Sequence, residues 1–206
     1  MTCIIGILDN NDIYMGGDSI VSSGTDLFLT NEDKVFIKDK FIFGFSHSIK
    51  IAQVLQYSFI PPKHDPNMSD VQYMASVFVD NMIDCFVNKG VIKTCEGEVG
   101  CDVFELIVGY HKNLYKICPP NFTILTTKTK FMATGCGEAY AVGALDIMFD
   151  DEYEDDFNSE EKIIRALETA EKYSLIKPPF KILKLHGNTG RNIESKETSK
   201  TTKPKR

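Results

Sequence analysis

The sequence predicts an α+β fold, a four-layer αββα sandwich of two mainly antiparallel sheets packed face to face with helices on both outer sides. This expectation rests on two features of the chain. Strand-like runs come first, two helical segments follow, and the same order is repeated before a final strand. Within each group of strands, short turn-forming segments separate neighbouring runs, which predicts antiparallel hairpins.

Two β-hairpins are predicted at the beginning of the chain. The apolar segments 3–8 and 13–17 are separated by four Asp and Asn residues, which favour turns. The segments 34–38 and 41–45 lie on either side of a two-residue turn and are rich in aromatic and β-branched residues. The first predicted strand therefore begins directly after Thr2.

Two helices are predicted after the second hairpin. Apolar residues recur at helical spacing over 49–59, and Pro61 ends this pattern. A longer helix is expected to begin at Ser69, because Ser69 and Gln72 fit a capping box and an apolar face follows. Gly90 is a suitable residue to end it.

The second half of the chain repeats this order of strands and then helices. Strands are predicted at 103–110, 114–118, 122–125, 131–134 and 180–185. Helices are predicted over 138–149 and 159–174, between the last two of these strands.

The chain is long enough to form one hydrophobic core, and it is too short to make two cores the expectation. It has 206 residues, of which 43% are hydrophobic and 25% are charged. We predict a single domain over 1–186, from which Met1 is removed, and a disordered basic tail over 187–206 that lacks apolar periodicity. The net charge is −6 although the tail is basic, so nucleic acid is not expected as a partner.

The N-terminus and the cysteines indicate the compartment. No basic region followed by an apolar signal core opens the chain, and no apolar run approaches the roughly 20 residues that span a bilayer. The six cysteines include no Cys-x-x-Cys pair, and the four histidines have no zinc-binding spacing relative to Cys95 and Cys101. We therefore expect a cytoplasmic protein with free thiols, no membrane association and no bound metal.

The second residue carries the strongest chemical signal in the sequence. Thr2 is small enough for methionine aminopeptidase to remove Met1, which would leave Thr2 with a hydroxyl and a free α-amine. A threonine hydroxyl is a weak nucleophile at neutral pH, and a terminal amine with a reference pKa of about 7.8 can act as its base. Thr2 is therefore a candidate nucleophile that needs no histidine.

Two charged residues are expected to lie near Thr2. Asp18 ends the strand that should pair with the strand starting after Thr2, and Lys34 begins a strand of the second hairpin. A lysine next to Thr2 would lower the pKa of the hydroxyl and of the amine, and Asp18 would keep that lysine oriented and charged. Taken singly, Asp18 is a common turn residue and Lys34 a common solvated strand end, so the prediction depends on their joint spacing.

Several segments, in their order along the chain, resemble the proteasome β-subunit family, which includes the bacterial HslV-type peptidases and belongs to the N-terminal nucleophile (Ntn) hydrolases. The resemblance covers most of residues 2–185, and the spacing of Thr2, Asp18 and Lys34 coincides with the family's threonine, aspartate and lysine triad. The matching segments are Thr2 to Ile7, Gly17-Asp18-Ser19, Lys34-Val35, Phe43-Gly44-Phe45-Ser46 and Thr134-Gly135-Cys136-Gly137. The resemblance implies the Ntn hydrolase form of the predicted sandwich.

The resemblance also implies roles for individual residues of the catalytic centre. Thr2 would be both nucleophile and amine base, with Asp18 and Lys34 tuning it. The backbone N–H of Gly44 would contribute to the oxyanion hole, which a glycine suits because no side chain obstructs the donor. Cys136 stands where the family usually has a serine that hydrogen-bonds the terminal amine, and a thiol is a weaker donor and acceptor.

Two serines match positions that line the substrate channel in the family, where an extended peptide binds as an added strand. They are Ser22 and Ser46. The sequence is equally consistent with generic surface serines at both positions.

The activity implied by the resemblance is that of a threonine-type endopeptidase acting on peptides or unfolded proteins without a cofactor. Such a subunit would form a homo-oligomeric ring fed by an ATP-dependent unfoldase. Two alternatives stay open on the sequence: a catalytically inactive proteasome-like assembly or binding subunit, and a small-molecule amidohydrolase that uses the same nucleophile.

Overall fold

The computed structural model describes residues 2–23, 26–95, 98–100, 104–150, 152, 156–187 and 192–198. The strands are β1 (Cys3–Asp9), β2 (Asp12–Asp18), β3 (Ile20–Ser23), β4 (Asp26–Leu29), β5 (Val35–Lys38), β6 (Phe41–Ser46), β7 (Lys93–Cys95), β8 (Glu98–Gly100), β9 (Glu105–Tyr110), β10 (Asn113–Cys118), β11 (Thr123–Thr126), β12 (Phe131–Gly135), β13 (Phe180–His186) and β14 (Asn192–Thr198). The α-helices are α1 (Ile49–Tyr57), α2 (Asp70–Tyr73), α3 (Val79–Asn88), α4 (Glu138–Met148) and α5 (Ser159–Tyr173), and a π-helical segment (Met74–Phe78) joins α2 to α3.

Among the described residues, ten of these strands form two five-stranded antiparallel sheets. The first has the order β12-β1-β2-β13-β14 and the second has the order β11-β10-β9-β6-β5. The hairpins β1–β2, β5–β6 and β9–β10 pair as the sequence predicts. The strand β1 is an inner strand of the first sheet, with β12 on one side and β2 on the other. The residue before β1 therefore lies near the ends of both neighbouring strands.

Alternate residues of each strand point to opposite faces of its sheet, so each sheet has an inner and an outer face. The two inner faces pack against each other. Ile4, Met15 and Ile107 belong to the apolar layer between the sheets. On the outer face of the first sheet, Ile5 packs with helices α4 and α5. Helices α1 and α3 cover the outer face of the second sheet. The predicted four-layer αββα sandwich is confirmed.

Two capping boxes fix the beginnings of the longer helical segments. The Ser69 side chain accepts the N–H of Gln72 while the Gln72 side chain accepts the N–H of Ser69, as predicted. Asn158 and Glu161 form the same reciprocal pair at the start of α5. These caps satisfy backbone donors that a helix start leaves without partners.

The structure also contains strands that are not predicted from the sequence. The hairpin β3–β4 extends from the end of β2, and its second strand carries exposed apolar residues. Within the tail predicted as disordered, Asn192–Thr198 pair with β13 as strand β14. Backbone hydrogen bonding along a sheet edge requires no apolar periodicity, which explains why no pattern in the tail indicated a strand. The tail positions 188–191 and 199–206 lie outside the described residues.

No helix in the part of the chain that the structure describes is both long and apolar enough to cross a membrane.

Candidate active site

Thr2 lies at one end of the first sheet, where three strands bring their ends together. It directly precedes β1, whose Cys3 pairs with Gly135 of β12 and whose Ile4 pairs with Gly17 of β2. Thr2 is only 5% exposed. The start of β1 therefore holds Thr2 between the end of β2 and the turn that follows β12.

Asp18, the last residue of β2, is held by three hydrogen-bond donors. Its Oδ1 accepts the N–H of Cys3 at 2.9 Å, and its Oδ2 accepts the N–H of Ile20 at 3.2 Å. The Nζ of Lys34 donates to the same Oδ2 at 2.9 Å. Asp18 is 2% exposed, so these donors replace the water that a carboxylate otherwise requires.

Lys34 connects the two sheets at this end of the molecule. Its Nζ donates to Thr2 Oγ1 at 3.0 Å as well as to Asp18. Burial lowers the pKa of Lys34, and the neighbouring Asp18 carboxylate acts in the opposite direction. An ammonium group in this position stabilises negative charge on Oγ1. The structure thus brings together the three side chains that the sequence predicts.

The turn between β12 and α4 encloses the backbone of Thr2. Gly135 has a φ of 95°, and a Cβ built on it would lie 2.2 Å from the carbonyl oxygen of Thr2. The N–H of Gly137 donates to that carbonyl oxygen at 3.4 Å. Only glycine fits at 135, because a side chain would need both the positive φ and the space that Thr2 occupies.

The two cysteines next to Thr2 differ in their environment. Cys3 is fully buried, and burial together with the charge of Asp18 raises the pKa of its thiol. It therefore stays protonated and does not compete with Thr2 as a nucleophile. Cys136 is exposed in the turn after β12, between Gly135 and Gly137, which lie against the backbone of Thr2. Its predicted hydrogen bond to the terminal amine stays a prediction.

Comparison with known proteins rests on structure. No family model matches this sequence, and no curated protein sequence does. The chain is similar to BPH from Thiobacillus denitrificans in complex with epoxomicin, with a TM-score of 0.72 and 13% identity over 89% of this chain and 98% of that one. It is similar to eukaryotic HslV from Trypanosoma brucei, with a TM-score of 0.60 and 17% identity over 89% of this chain and 99% of that one.

A third similar structure is Anbu, described as an ancestral beta-subunit, from Yersinia bercovieri. Its TM-score is 0.65 at 10% identity, over 98% of this chain and 88% of that one. The fold is that of the proteasome-like Ntn hydrolases. At these identities the likeness concerns the Ntn fold, and the residues at the site carry any statement about chemistry.

Gly44 lies inside a strand of this Ntn fold and does not reach the site. It belongs to β6 and pairs with Val35 of β5 on one side and Ile107 of β9 on the other. The next residue, Phe45, donates its N–H to Lys34 on the β5 side. Because N–H groups along a strand point alternately to its two sides, the Gly44 N–H points to β9 and belongs to the sheet. This geometry contradicts the oxyanion role predicted for Gly44.

His47 directly follows β6. Its φ is 78°, which is uncommon for a residue other than glycine. Ser48 donates its N–H to the carbonyl oxygen of Ser46 at 3.2 Å across it, which makes His47 the centre of a γ-turn. By the same alternation, the His47 N–H points to the side on which Lys34 lies. In the sequence, His47 is marked only by its position directly after a predicted strand. Many residues follow a strand in this way, so the position alone does not indicate an oxyanion donor.

The two predicted channel serines are not shown lining a channel. Ser46 is 1% exposed, and its Oγ hydrogen-bonds to His47 Nδ1 at 2.9 Å and donates to the Glu105 carbonyl oxygen at 3.4 Å. These contacts hold the Ser46 hydroxyl inside the protein, and its place in a substrate channel stays a prediction. Ser22 pairs with Leu27 in the hairpin β3–β4, and its side chain lies outside what the structure describes.

A second polar cluster lies beside His47 and was not predicted from the sequence. Glu105 of β9 accepts a hydrogen bond from Thr134 of β12 and forms an ion pair with Lys116 of β10 at 3.3 Å. Lys116 also pairs with Glu138 of α4 at 2.9 Å. Burial acts to raise the pKa of Glu105, but the Thr134 hydrogen bond and Lys116 outweigh it, and the net shift is downward. The cluster joins both sheets and α4 at the end that carries the triad.

Proposed function

We propose that this chain is a threonine-type hydrolase that cleaves peptide bonds through Thr2. The observation that carries the proposal is the buried Lys34 ammonium, which donates to Thr2 Oγ1 at 3.0 Å and to Asp18 at 2.9 Å. A hydroxyl that faces a buried cation is prepared to become an alkoxide, because the cation stabilises the negative charge that forms on the oxygen.

The proposed reaction begins with removal of Met1, which frees the α-amine of Thr2. The amine accepts the proton of Oγ1, and Oγ1 attacks the carbonyl carbon of the substrate while Lys34 stabilises the developing negative charge. The tetrahedral intermediate collapses with cleavage of the C–N bond, and the leaving amine takes the proton from the α-ammonium group. Water then hydrolyses the ester on Thr2, with the amine again acting as base.

We assign the oxyanion donor to the backbone N–H of His47 instead of Gly44. The alternation of N–H directions along β6 supports this assignment, since the Phe45 N–H on the same side reaches Lys34. The γ-turn at His47 interrupts the strand, so its N–H is not part of the ladder between β5 and β6. A strained backbone that presents a donor to a reaction centre is a recognised feature of active sites.

A peptide substrate is favoured over a small amide by one of the similar structures, which contains epoxomicin, a peptide epoxyketone. An extended peptide bound next to the hairpin β3–β4 would supply backbone hydrogen bonds like an additional strand. Small amides lack those backbone groups. Rates of hydrolysis measured on peptide and on simple-amide substrates therefore distinguish an endopeptidase from a small-molecule amidohydrolase.

The test is intact-mass spectrometry of purified protein before and after incubation with epoxomicin. We expect loss of Met1 and then a mass increase of one inhibitor molecule, because the epoxyketone reacts with both the hydroxyl and the amine of Thr2. Thr2→Ala is the control and should lose Met1 but gain no inhibitor. A retained Met1, or equal labelling of Thr2→Ala, would contradict the mechanism and leave the inactive assembly subunit as the better explanation.

We further propose that the chain assembles into a homo-oligomeric ring served by an ATP-dependent unfoldase. Exposed apolar residues support assembly: in the described chain they include Leu27 at 48%, Phe28 at 52% and Leu29 at 68% on strand β4. Contiguous exposed apolar residues mark interaction surfaces more often than free surface. The unfoldase rests on the resemblance alone.

A further inference from the structure

Two histidines and one aspartate, residue types that can bind metals, meet at one end of the second sheet. This end is the one farther from Thr2. His64 lies in the connection between α1 and α2, Asp70 is the first residue of α2, and His111 lies in the turn between β9 and β10. One ligand atom from each lies within 4.8 Å of the other two. The strand β9 separates this cluster from Glu105, so the two sites are roughly 17 Å apart at about 3.4 Å per residue.

The distances between these atoms suit a metal ion. Asp70 Oδ1 lies 3.0 Å from His111 Nδ1 and 3.8 Å from His64 Nδ1. Two ligands of a tetrahedral Zn²⁺ ion with bonds of roughly 2.0–2.1 Å are about 3.3 Å apart, which lies between these two values. A small rotation of the two imidazole rings would thus complete the set. Two histidines and one carboxylate are also a common ligand set for zinc.

The hydrogen bonds of His64 leave the ligating nitrogen with a lone pair. Its Nε2 lies 3.0 Å from the carbonyl oxygen of Met68, which can only accept, so Nε2 carries the proton. Nδ1 then has its single lone pair on the side of the cluster, where it accepts the Tyr110 hydroxyl at 2.9 Å, and a metal ion would bind Nδ1 by displacing that hydroxyl. A backbone carbonyl that fixes the remote N–H is the usual support of a metal-bound histidine. Stacking on Tyr73 at 4.4 Å between ring centroids also holds the His64 ring.

The aspartate has similar support from a neighbouring residue. Asn113 Nδ2 donates to Asp70 Oδ2 at 3.4 Å, which orients the other oxygen toward the histidines.

We propose that His64, Asp70 and His111 bind a divalent transition metal, with Zn²⁺ preferred, and that water completes the coordination. The ion would join the α1–α2 connection, the start of α2 and the β9–β10 turn, and its role is to stabilise the helical layer over the second sheet. His111 lies 41 residues after Asp70 in the sequence, which explains why histidine spacing did not predict the site. The proposal is independent of the peptidase function.

The test uses untagged protein stripped with a chelator and then titrated with zinc chloride. We expect one Zn²⁺ bound per chain after gel filtration, measured by elemental mass spectrometry, and a melting temperature that rises with zinc concentration. His64→Ala and His111→Ala should each weaken zinc binding by at least about tenfold and abolish the rise. Asn113→Ala should weaken binding less, which provides a test if the histidine variants fail to fold.

Two matched controls distinguish this site from other zinc ligands in the chain. His186→Ala removes a histidine that also contacts an aspartate, Asp12 at 2.7 Å, but has no second histidine. Cys136→Ala removes an exposed thiol. Both should bind zinc as the unmodified protein does. Absence of zinc binding, or unchanged binding by both His64→Ala and His111→Ala, would overturn the proposal and leave an ordinary hydrogen-bonded cluster.

Discussion

At the scale of single residues, the candidate site combines two kinds of constraint. Thr2, Asp18 and Lys34 are fixed by hydrogen bonds between charged and polar groups that are almost completely buried. Gly44 and Gly135 are fixed by space, since a Cβ at either position would meet an atom at less than 2.5 Å. The first constraint concerns chemistry and the second concerns packing, and substitutions separate them.

Replacement of Lys34 by methionine tests the chemical constraint. We expect Lys34→Met to lower kcat by roughly 10²–10³ because the cation facing Oγ1 is lost. The free energy of unfolding should also fall by about 3–5 kcal/mol, since Asp18 is left as an unpaired buried charge. Hydrolysis of a fluorogenic peptide and urea unfolding measure the two effects.

The double variant Asp18→Asn/Lys34→Met is the control, because it removes both charges. It should recover part of the lost stability and none of the activity. Recovery of activity in the double variant would mean that Lys34 supports only the fold.

Replacements at Gly44 and His47 test the revised oxyanion donor. Gly44→Ala should lower the free energy of unfolding by about 1–3 kcal/mol, because its Cβ would lie 2.4 Å from Ile4 Cγ2 and 2.7 Å from Met15 Sδ. His47→Gly keeps the backbone N–H and suits the positive φ, so we expect kcat/KM close to that of the unmodified protein. A large loss of kcat in His47→Gly, with its fold intact, would show that the imidazole itself takes part.

At the scale of elements, a polar cluster joins three strands and one helix. It consists of Glu105, Thr134, Lys116 and Glu138. The cluster connects β9, β10, β12 and α4 directly beside the turn that encloses Thr2. It therefore holds that turn against the second sheet. Its ion pairs are partly exposed, so solvent screens them and their contribution to the free energy of unfolding is modest.

The pH dependence of stability tests this connection. The pKa of Glu105 is lowered in the folded state, so its contribution is present above the unfolded pKa of about 4.3 and is lost as the pH falls through the lower folded value. Glu105→Gln should therefore be less stable than the unmodified protein at pH 7, and the difference should shrink as the pH falls below about 4.3. Urea unfolding from pH 7 to pH 3 measures it.

Glu168→Gln is the control, because Glu168 lies exposed on α5. Its unfolding free energy should follow that of the unmodified protein throughout. A difference between Glu105→Gln and the unmodified protein that is constant over this pH range would contradict the assignment.

At the scale of the whole molecule, the exposed apolar residues of β4 bear on assembly. Phe28→Asp should shift the protein to a smaller species in size-exclusion chromatography with light scattering, because a buried interfacial charge without a partner is costly. Val71→Asp is the matched control, since Val71 is 49% exposed on α2 and Phe28 is 52% exposed. A Phe28→Asp protein of unchanged mass would place the interface elsewhere.

Local sequence signals predicted the sandwich, and the resemblance to the family together with the spacing of Thr2, Asp18 and Lys34 predicted the triad. Alternating apolar residues, turn residues and capping pairs act over a few positions, and they predicted the paired strands β1–β2 and the start of α2 at Ser69. The spacing of Thr2, Asp18 and Lys34 was informative because the first hairpin fixes the register that brings Asp18 to the start of β1.

Two kinds of feature could be found only in the tertiary structure. One is the direction in which a backbone group points, and the other is contact between segments that are distant in sequence. The direction of the N–H groups along β6 excluded Gly44 and pointed to His47. The cluster around Glu105 and the proposed metal ligands combine residues from separate elements. No local pattern encodes such sets, because their members become neighbours only when the sheets and helices pack.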